Sequence, residues 1–552
     1  MQFNQINKFV ILIICALLLS ISAGIAQHDH SHHEDAPITV GTDALGKVNF
    51  PISGSEAAQQ HFEKGLALLH HMMYVQAEKE FSALADMEPG CAMAYWGIAM
   101  TQFHPLWPGQ PGEAELKQGW EAIQKAKSLN PPTEREQTYI AAVEAFYKDW
   151  QTIGHKERIA AWEAVQEKIY RQYPDDTDAA AFYALSHLAT APKADQEFIH
   201  QKEAGAILDK LFEKEPEHPG VLHYTIHAYD NPVLANRAVA AARAYDKIAP
   251  DVPHALHMPT HIFVRLGIWP DAISWNIRSA KAALKYPSHG SISHHYPHAL
   301  DYLIYGYLQM AADKEAENVL KQILADDNYQ KTFISAYALA AIPARYTLER
   351  QQWAAAAALE VRSPAAFPWE KFPGVETITH FARGLGAARS GNISAAQKSK
   401  ERIDVLHQHI VEADQQYWAV LADAQRKTIS AWIAFAEDKK DEALRIMREA
   451  ADIEDSVDKH PVTPGAVLPA RELLGEMLLL LNKPGEALAA YEASLKISSN
   501  RFNSLYGAAQ AAERANNSEK AKSYYSQLMQ NCDDATSDRP GVKQAKTFLA
   551  SD

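Results

Sequence analysis

The stretch that decides the fold runs from Gly475 to Tyr525 and reads GEMLLLLNKPGEALAAYEASLKISSNRFNSLYGAAQAAERANNSEKAKSYY. Relative to Gly475 at position i, Ala487 stands at i+12 and Tyr491 at i+16. The pattern recurs at i+34, i+46 and i+50, where Ala509, Ala521 and Tyr525 stand. Small residues at the first two positions let two helices approach closely, and a large residue fills the space beside them. The stretch therefore predicts two helical hairpins in register.

The same spacings recur elsewhere in the chain. Gly65, Ala77, Phe81 and Pro89 stand at i, i+12, i+16 and i+24. Weaker matches are Gly384 with Ala396, and Ala431 with Ala443, Met447 and Ala450. These segments resemble tetratricopeptide repeats, and the resemblance extends over most of residues 55–530. It implies a stack of hairpins in which the first helix of each hairpin lines a concave surface, because a single hairpin cannot bury its apolar face alone.

Two longer stretches strengthen this resemblance. Residues 91–100 read CAMAYWGIAM and residues 253–269 read PHALHMPTHIFVRLGIW. Both resemble segments of exported bacterial tetratricopeptide-repeat proteins of no established activity. The resemblance implies a fold and a location without implying any chemistry.

The predicted fold class is all-α, an α-solenoid of tetratricopeptide-like helical hairpins. From about Ser55 onward, apolar residues recur at helical spacing, and breaks carry Pro, Gly or Asn-Asp. No convincing run of alternating β-branched residues occurs, which excludes a doubly wound sheet or a β-sandwich.

Composition excludes several classes of protein. The 552 residues are 47% hydrophobic, which is ordinary globular composition rather than that of a disordered chain. With 53 Lys and Arg against 68 Asp and Glu, the formal net charge is −15. No basic surface is predicted, so a nucleic-acid partner is not expected. Three cysteines are too few for a disulfide scaffold, and the pairing of Cys91 with Cys532 stays open.

The N-terminus has the features of an export signal. Lys8 precedes the apolar run Phe9–Ile21, and Gly24 and Ala26 are small residues suited to cleavage after Ala26. We therefore expect a periplasmic or secreted protein, with an uncleaved anchor as the alternative. No other stretch approaches 18 apolar residues, so no membrane span is expected in the mature chain.

The chain divides into five predicted parts. They are a signal peptide at 1–26, a His-rich flexible leader at 27–54, an N-terminal helical-repeat array carrying the His cluster at 55–330, a C-terminal tetratricopeptide-repeat array at 331–535, and a C-terminal tail at 536–552. The leader holds a chelating tract of His28, His30, His32 and His33, which either scavenges metal or is merely solvated. His70-His71-Met72-Met73 mildly favours copper, although the methionines are also typical of core packing.

Histidines concentrate in one window. Ten of the 25 histidines lie between His218 and His298. His257 stands at i+34 from His223, His261 at i+34 from His227, and His298 at i+37 from His261. Because packed helices lie about 8–10 Å apart, imidazoles from successive first helices can reach a common point.

This pattern predicts a metal site. Its candidate ligands are His223, His227, His257, His261 and His298, with Asp230 and Asp301 as oxygen ligands or as acceptors for imidazole N–H groups. Imidazoles with a carboxylate form a ligand set for a divalent transition metal, with zinc or copper expected first. The alternatives are a metal-free polar groove that binds an anionic group, and histidines that are only structural.

Two functions are compatible with such a site. The first is an interaction protein that binds a protein or peptide along the concave face, with the metal as a structural or recognition element. The second is a metal-dependent enzyme, a hydrolase or an oxidoreductase. A closed four-ligand site would favour the first function, and three ligands with an open position would favour the second. Glu454, Asp455, Asp458 and His460 precede a Pro-Gly loop and are typical of a solvated connector.

Overall fold

The fold is an array of antiparallel helical hairpins. A computed structural model describes residues 44–106, 110–192, 197–288, 290–532 and 537–551. These residues contain no β-strand, and their β pairing is limited to two isolated bridges. The predicted all-α fold is therefore confirmed. The proposed signal peptide, the histidine tract at 28–33 and residues 107–109 lie outside the described residues.

Most helices pair with the next helix along the chain. The helices of the first half are α1 Glu56–His70, α2 Tyr74–Met87, α3 Ala92–Thr101, α4 Glu113–Ser128, α5 Glu134–Tyr147, α6 His155–Gln172, α7 Thr177–Ala189, α8 Ile199–Lys214, α9 Pro219–Tyr229, α10 Val239–Ile248, α11 Pro253–His257, α12 Pro259–Leu266 and α13 Trp269–Ala283. A 3₁₀ turn, Ala235–Ala238, precedes α10.

The second half continues the same arrangement. Its helices are α14 His295–Gln309, α15 Asp313–Leu324, α16 Phe333–Leu348, α17 Trp353–Ala357, α18 Pro373–Arg389, α19 Ile393–Glu412, α20 Gln416–Ala436, α21 Lys440–Glu454, α22 Ala470–Leu480, α23 Pro484–Ile497, α24 Phe502–Arg514, α25 Ser518–Asn531 and α26 Pro540–Ser551. A second 3₁₀ turn is Trp369–Lys371. Among the described helices, none combines the length and the apolar character needed to cross a membrane.

The turns of the C-terminal hairpins repeat with the helices. Asn482 lies between α22 and α23 with a φ of 55°, and Asn516 lies between α24 and α25 with a φ of 57°. Asparagine tolerates this left-handed conformation better than most residues, so it ends one helix and lets the chain reverse. Asn516 stands at i+34 from Asn482, which is the predicted period of the repeat.

Glycines in the repeat pattern let an aromatic ring sit between consecutive hairpins. Tyr491 of α23 packs against Gly475 in α22 and Gly507 in α24. A Cβ at Gly507 would lie 2.1 Å from Cζ of the Tyr491 ring, far inside contact distance. Phe81 is held in the same way between Gly65 and Gly97. The glycine and aromatic positions of the repeat therefore set the distance between neighbouring hairpins.

We expect Gly507→Ala to destabilise the C-terminal hairpins by about 1–3 kcal/mol, the cost of overpacking a filled core. This outcome opposes helix propensity, which favours alanine over glycine by about 1 kcal/mol. Gly485→Ala is the matched control, because a Cβ added there meets no described atom within 4 Å apart from its chain neighbours and the nearby backbone of its own helix. Thermal unfolding measures both variants. Equal or higher stability of Gly507→Ala relative to the wild type would contradict this packing.

The segment between α21 and α22, residues 455–469, crosses the inner surface formed by the first helices. We call it the strap. Lys459 Nζ donates to Asp230 Oδ2 at 3.1 Å, and the Tyr337 hydroxyl donates to Thr463 Oγ1 at 2.9 Å. Further contacts join Asp458 to Arg265, Pro461 to Tyr302, and Gly465 to Arg345. The strap thus connects the C-terminal hairpins to the helices that carry the histidines.

Candidate metal centre

Three histidines from three helices of the array converge in the interior. His257 ends α11, His261 lies in the first turn of α12, and His298 lies in the first turn of α14. Each offers one ring nitrogen, and the three nitrogens all lie within 4.8 Å of one another. His257 and His261 are buried, and His298 is largely buried beside them. The arrangement follows from helical spacing, because residues four apart share one face and α14 belongs to the next hairpin.

Hydrogen bonds fix the tautomers of two of these imidazoles. His257 Nδ1 lies 2.8 Å from Asn276 Oδ1, and His261 Nδ1 lies 2.9 Å from Asp230 Oδ2. Both oxygens only accept hydrogen bonds, so each Nδ1 carries a hydrogen and donates it. The Nε2 atom of each neutral ring therefore presents a lone pair.

These two lone pairs face each other across a short gap. His257 Nε2 and His261 Nε2 are 3.1 Å apart. Two acceptors at this distance repel unless a cation or a proton lies between them. Zinc bonds imidazole nitrogen at about 2.0–2.1 Å in a tetrahedral site, which places two such nitrogens about 3.3 Å apart. The separation in this protein is close to that value.

Asp230 anchors His261 and is itself held by two cations. Its carboxylate accepts from Arg265 Nε at 2.9 Å and from Lys459 Nζ at 3.1 Å, in addition to His261 Nδ1. Burial alone would raise the pKa of Asp230, but Lys459, Arg265 and His261 lower it well below its usual range. Asp230 therefore stays ionised, and an ionised acceptor holds the Nδ1-protonated form of His261.

The surroundings keep the three imidazoles neutral. Burial lowers the pKa of His257 and of His298 well below the ordinary value, and neighbouring imidazoles lower it further. Burial also lowers the pKa of His261, although Asp230 opposes the effect. Metal binding requires neutral imidazoles, so these ligands need not lose a proton near pH 7 before binding an ion.

Tyr302 of α14 closes one side of the group. Its ring centroid lies 4.5 Å from that of His257, 5.3 Å from that of His298 and 5.6 Å from that of His261. The hydroxyl donates to the Pro461 carbonyl oxygen of the strap at 3.3 Å. Within the described residues, no fourth His, Cys, Asp or Glu belongs to the group, which therefore offers three potential ligands.

Several candidate residues lie outside this group. His227 faces His223 instead, with the two Nε2 atoms 3.2 Å apart. Asp301 is fully buried and its Oδ1 accepts from Arg345 Nε at 2.9 Å, so this carboxylate holds a guanidinium rather than an imidazole. We expected a ring nitrogen of His227 to lie near those of His261 and His298. In the structure, the nitrogen in that position belongs to His257. His289 lies outside the described residues.

A second group of potential ligands consists of Asp178, His70 and His218. Asp178 Oδ1 lies 2.7 Å from His70 Nε2 and 3.3 Å from His218 Nε2. His218 Nδ1 accepts from the backbone N–H of Val221, so the hydrogen of neutral His218 is on Nε2, which makes no hydrogen bond within the described residues. His70 Nδ1 lies 2.9 Å from the Tyr224 hydroxyl, which can donate to it. In this arrangement the N–H group of His70, rather than a lone pair, faces Asp178.

The His70-His71-Met72-Met73 segment is also part of the core, and its side chains have partners within the protein. His71 Nε2 lies 3.0 Å from the Leu45 carbonyl oxygen and Nδ1 lies 2.8 Å from the Tyr245 hydroxyl. Both ring nitrogens therefore have protein partners. Met72 and Met73 are buried in the hydrophobic core.

The interpretation of residues 454–460 as a solvated connector is wrong for Glu454 and His460, whereas the Asp458 side chain is 42% exposed. Glu454 Oε2 accepts from the Ala470 N–H at 2.6 Å, and burial raises the Glu454 pKa to about 7. Asp458 forms two hydrogen bonds of 2.6 Å with Arg265. The His460 ring packs against Tyr417, Trp418 and Phe333. Asp458 and His460 of the strap therefore contact the helices on which the strap lies.

Sequence reasoning missed three residues that support the site. Asn276 orients His257, whereas Arg265 and Lys459 hold Asp230. Arg265 stands at i+4 from His261, so helical spacing placed it on the same face. Lys459 comes from a segment 229 residues distant from Asp230, and no local pattern connects the two.

Comparison with known proteins finds only distant similarity to solved structures. No protein-family model matches the chain, and no curated protein sequence matches it significantly. The human IFIT1 dimer with m7Gppp-AAAA is 12% identical over 80% of this chain and 90% of that chain, with a TM-score of 0.37. The APC/C hetero-tetramer Cut9–Hcn1 is 12% identical over 90% and 89%, with a TM-score of 0.30. Yeast Tom70 is 12% identical over 90% and 95%, with a TM-score of 0.28. All three TM-scores lie below 0.5, so the description of the fold rests on the helices and contacts of this chain itself.

Proposed function

We propose that this helical-repeat protein holds a divalent transition metal, zinc or copper, between His257, His261 and His298. One observation carries the proposal: two Nε2 lone pairs face each other at 3.1 Å while both Nδ1 atoms donate to oxygen acceptors. A metal ion relieves that repulsion, and His298 supplies the third nitrogen. Asp230 and Asn276 then act as the outer partners that orient the ligating rings.

The metal in this proposal is a structural or recognition element of an interaction protein. It connects α11, α12 and α14, which belong to two consecutive hairpins of the array. Through Asp230 and Lys459, the site also connects to the strap. An ion bound here therefore stabilises the inner surface on which a partner binds.

The proposed partner is a protein or peptide, and a cleft beside the strap offers it a place. The cleft has a cavity volume of about 100 Å³ and is lined by aromatic and apolar side chains together with polar groups. Tyr337, Phe381, Tyr417, Trp418 and Glu454 form part of its walls. Binding sites are typically apolar with a few placed polar groups, and this cleft has that composition.

A second candidate function is a metal-dependent enzyme, a hydrolase or an oxidoreductase. It is favoured by the ligand count, since three protein ligands leave a position for water or substrate. Replacing the bound ion by cobalt(II) distinguishes the two functions, because its visible spectrum reports coordination. Perturbation of that spectrum by azide would support an open position and the enzyme, whereas an insensitive four-coordinate spectrum would support the structural role.

Export is part of the proposal and rests on the sequence of residues 1–26. We propose that the mature chain begins at Gln27 and works in the periplasm or outside the cell. Fractionation of cells that express the full-length chain tests this location. Protein found only in the cytoplasm at full length would contradict it.

Metal analysis of the purified protein tests the central proposal. The protein is prepared without an affinity His tag and without residues 1–43, so that the histidine tract at 28–33 cannot contribute. We expect at least one equivalent of zinc or copper per chain to survive dialysis against a weak chelator. Substoichiometric contents of both metals, after incubation with either, would overturn the proposal.

A further inference from the structure

Two histidines of α9 form a second facing pair. His223 and His227 lie one helical turn apart, with their Nε2 atoms separated by 3.2 Å. His223 Nδ1 lies 2.7 Å from the His70 carbonyl oxygen, an atom that only accepts hydrogen bonds. The hydrogen of neutral His223 is therefore on Nδ1, and its Nε2 presents a lone pair toward His227.

A third imidazole adjoins this pair. The ring centroid of His254 lies 5.1 Å from that of His223, at an interplanar angle of 71°. His254 stands one helical turn before His257 on α11, so the second pair neighbours the three-histidine group across one helix. His227 is only partly buried, whereas His223 is fully buried.

We propose that His223 and His227 hold a second divalent transition metal beside the first, with water molecules completing its coordination. The inference rests on the proposed function, because it extends the same row of imidazoles from α11 to α9. The separation of 3.2 Å suits two nitrogens on one tetrahedral ion, for which zinc–nitrogen bonds of about 2.0–2.1 Å give about 3.3 Å.

A direct hydrogen bond is the competing arrangement. If the hydrogen of His227 is on Nε2, that atom donates to His223 Nε2 and no ion is needed. The His257–His261 pair lacks this option while both rings are neutral, since both of its Nδ1 atoms carry the hydrogen. The two pairs therefore differ in a way that metal stoichiometry can measure.

The experiment is a titration of the metal-free protein with zinc, followed by native mass spectrometry and isothermal titration calorimetry. Wild type, His227→Ala, His227→Gln and His298→Ala are compared. His409→Ala is the matched control, because His409 is exposed on α19. Circular dichroism verifies that each variant is folded, and the glutamine variant replaces the alanine variant if the latter unfolds.

Two equivalents in the wild type, reduced to one in the His227 variants, are the expected result. The second equivalent is expected to bind at least tenfold more weakly to a His227 variant than to the wild type. One equivalent in the wild type that persists in the His227 variants and weakens in His298→Ala would overturn this inference and leave the proposed function intact. No bound zinc in any of them, nor copper in a parallel titration, would overturn both.

Discussion

His261→Ala is expected to weaken metal binding by about a hundredfold or more. Loss of an outer partner of a ligating histidine typically costs about 10–100-fold in affinity, and loss of the ligand itself removes a metal–nitrogen bond as well. His261 also connects the ion to Asp230, so its removal leaves that carboxylate with only Arg265 and Lys459. Competition with a chromophoric chelator measures the change.

Asp230→Asn gives a graded comparison for the same site. It retains an acceptor oxygen but removes the charge, so we expect a smaller loss, within the range of about 10–100-fold. His409→Ala should bind metal as the wild type does, because this residue is exposed and far along the chain from the site. Equal affinity of His261→Ala and wild type would place the ion elsewhere.

Acid is expected to destabilise the protein through histidines that are buried in the neutral form. His71 is fully buried, and burial lowers its pKa to about 3 from an ordinary value of 6.5. Below pH 6.5, His71 is protonated in the unfolded chain but stays neutral in the folded chain. The free energy of unfolding therefore falls as the pH decreases toward 3. At about 1.4 kcal/mol per pKa unit, His71 alone costs about 2 kcal/mol at pH 5.

The slope of stability against pH isolates this effect from other changes. His71→Gln is expected to be less stable than wild type at pH 7, because the Tyr245 hydroxyl and the Leu45 carbonyl oxygen lose a fitted partner. Its stability should then fall by about 2 kcal/mol less than that of wild type between pH 7 and pH 5. Urea unfolding at each pH measures both chains. If the free energy of unfolding falls by the same amount in wild type and in His71→Gln between pH 7 and pH 5, His71 is not buried in the neutral form.

The hairpin array was predictable from sequence because its determinants are local. The i, i+12 relation between Gly475 and Ala487 is a property of one hairpin, and the ring of Tyr491 contacts two glycines of consecutive hairpins. Stacking repeats these contacts, so several matches at one period indicate the fold without knowledge of distant contacts.

The metal centre was predictable only in part, for a geometric reason. Helical spacing placed His257 and His261 on one face, and the repeat placed His298 near them. Which imidazoles share a point depends on the break between α11 and α12 at Met258 and on ring orientation, and spacing does not determine either. Spacing alone placed His227 in the group, although its Nε2 lies 3.2 Å from Nε2 of His223.

The strap could not be predicted, because its contacts are distant in sequence. Asp458 lies 193 residues from Arg265, and Thr463 lies 118 residues from Arg345. A segment with several charges before a Pro-Gly loop has the composition of a solvated connector. Only the tertiary fold shows that its charges are neutralised by the inner helices, which supply Arg265 and Asp230.

The central claim is tested most directly by anomalous X-ray diffraction from crystals of the zinc- or copper-loaded protein. The account predicts a peak bonded to Nε2 of His257, Nε2 of His261 and a ring nitrogen of His298, at about 2.0–2.1 Å for zinc. A map without a peak between these three rings, in crystals shown by fluorescence to contain the metal, would contradict it.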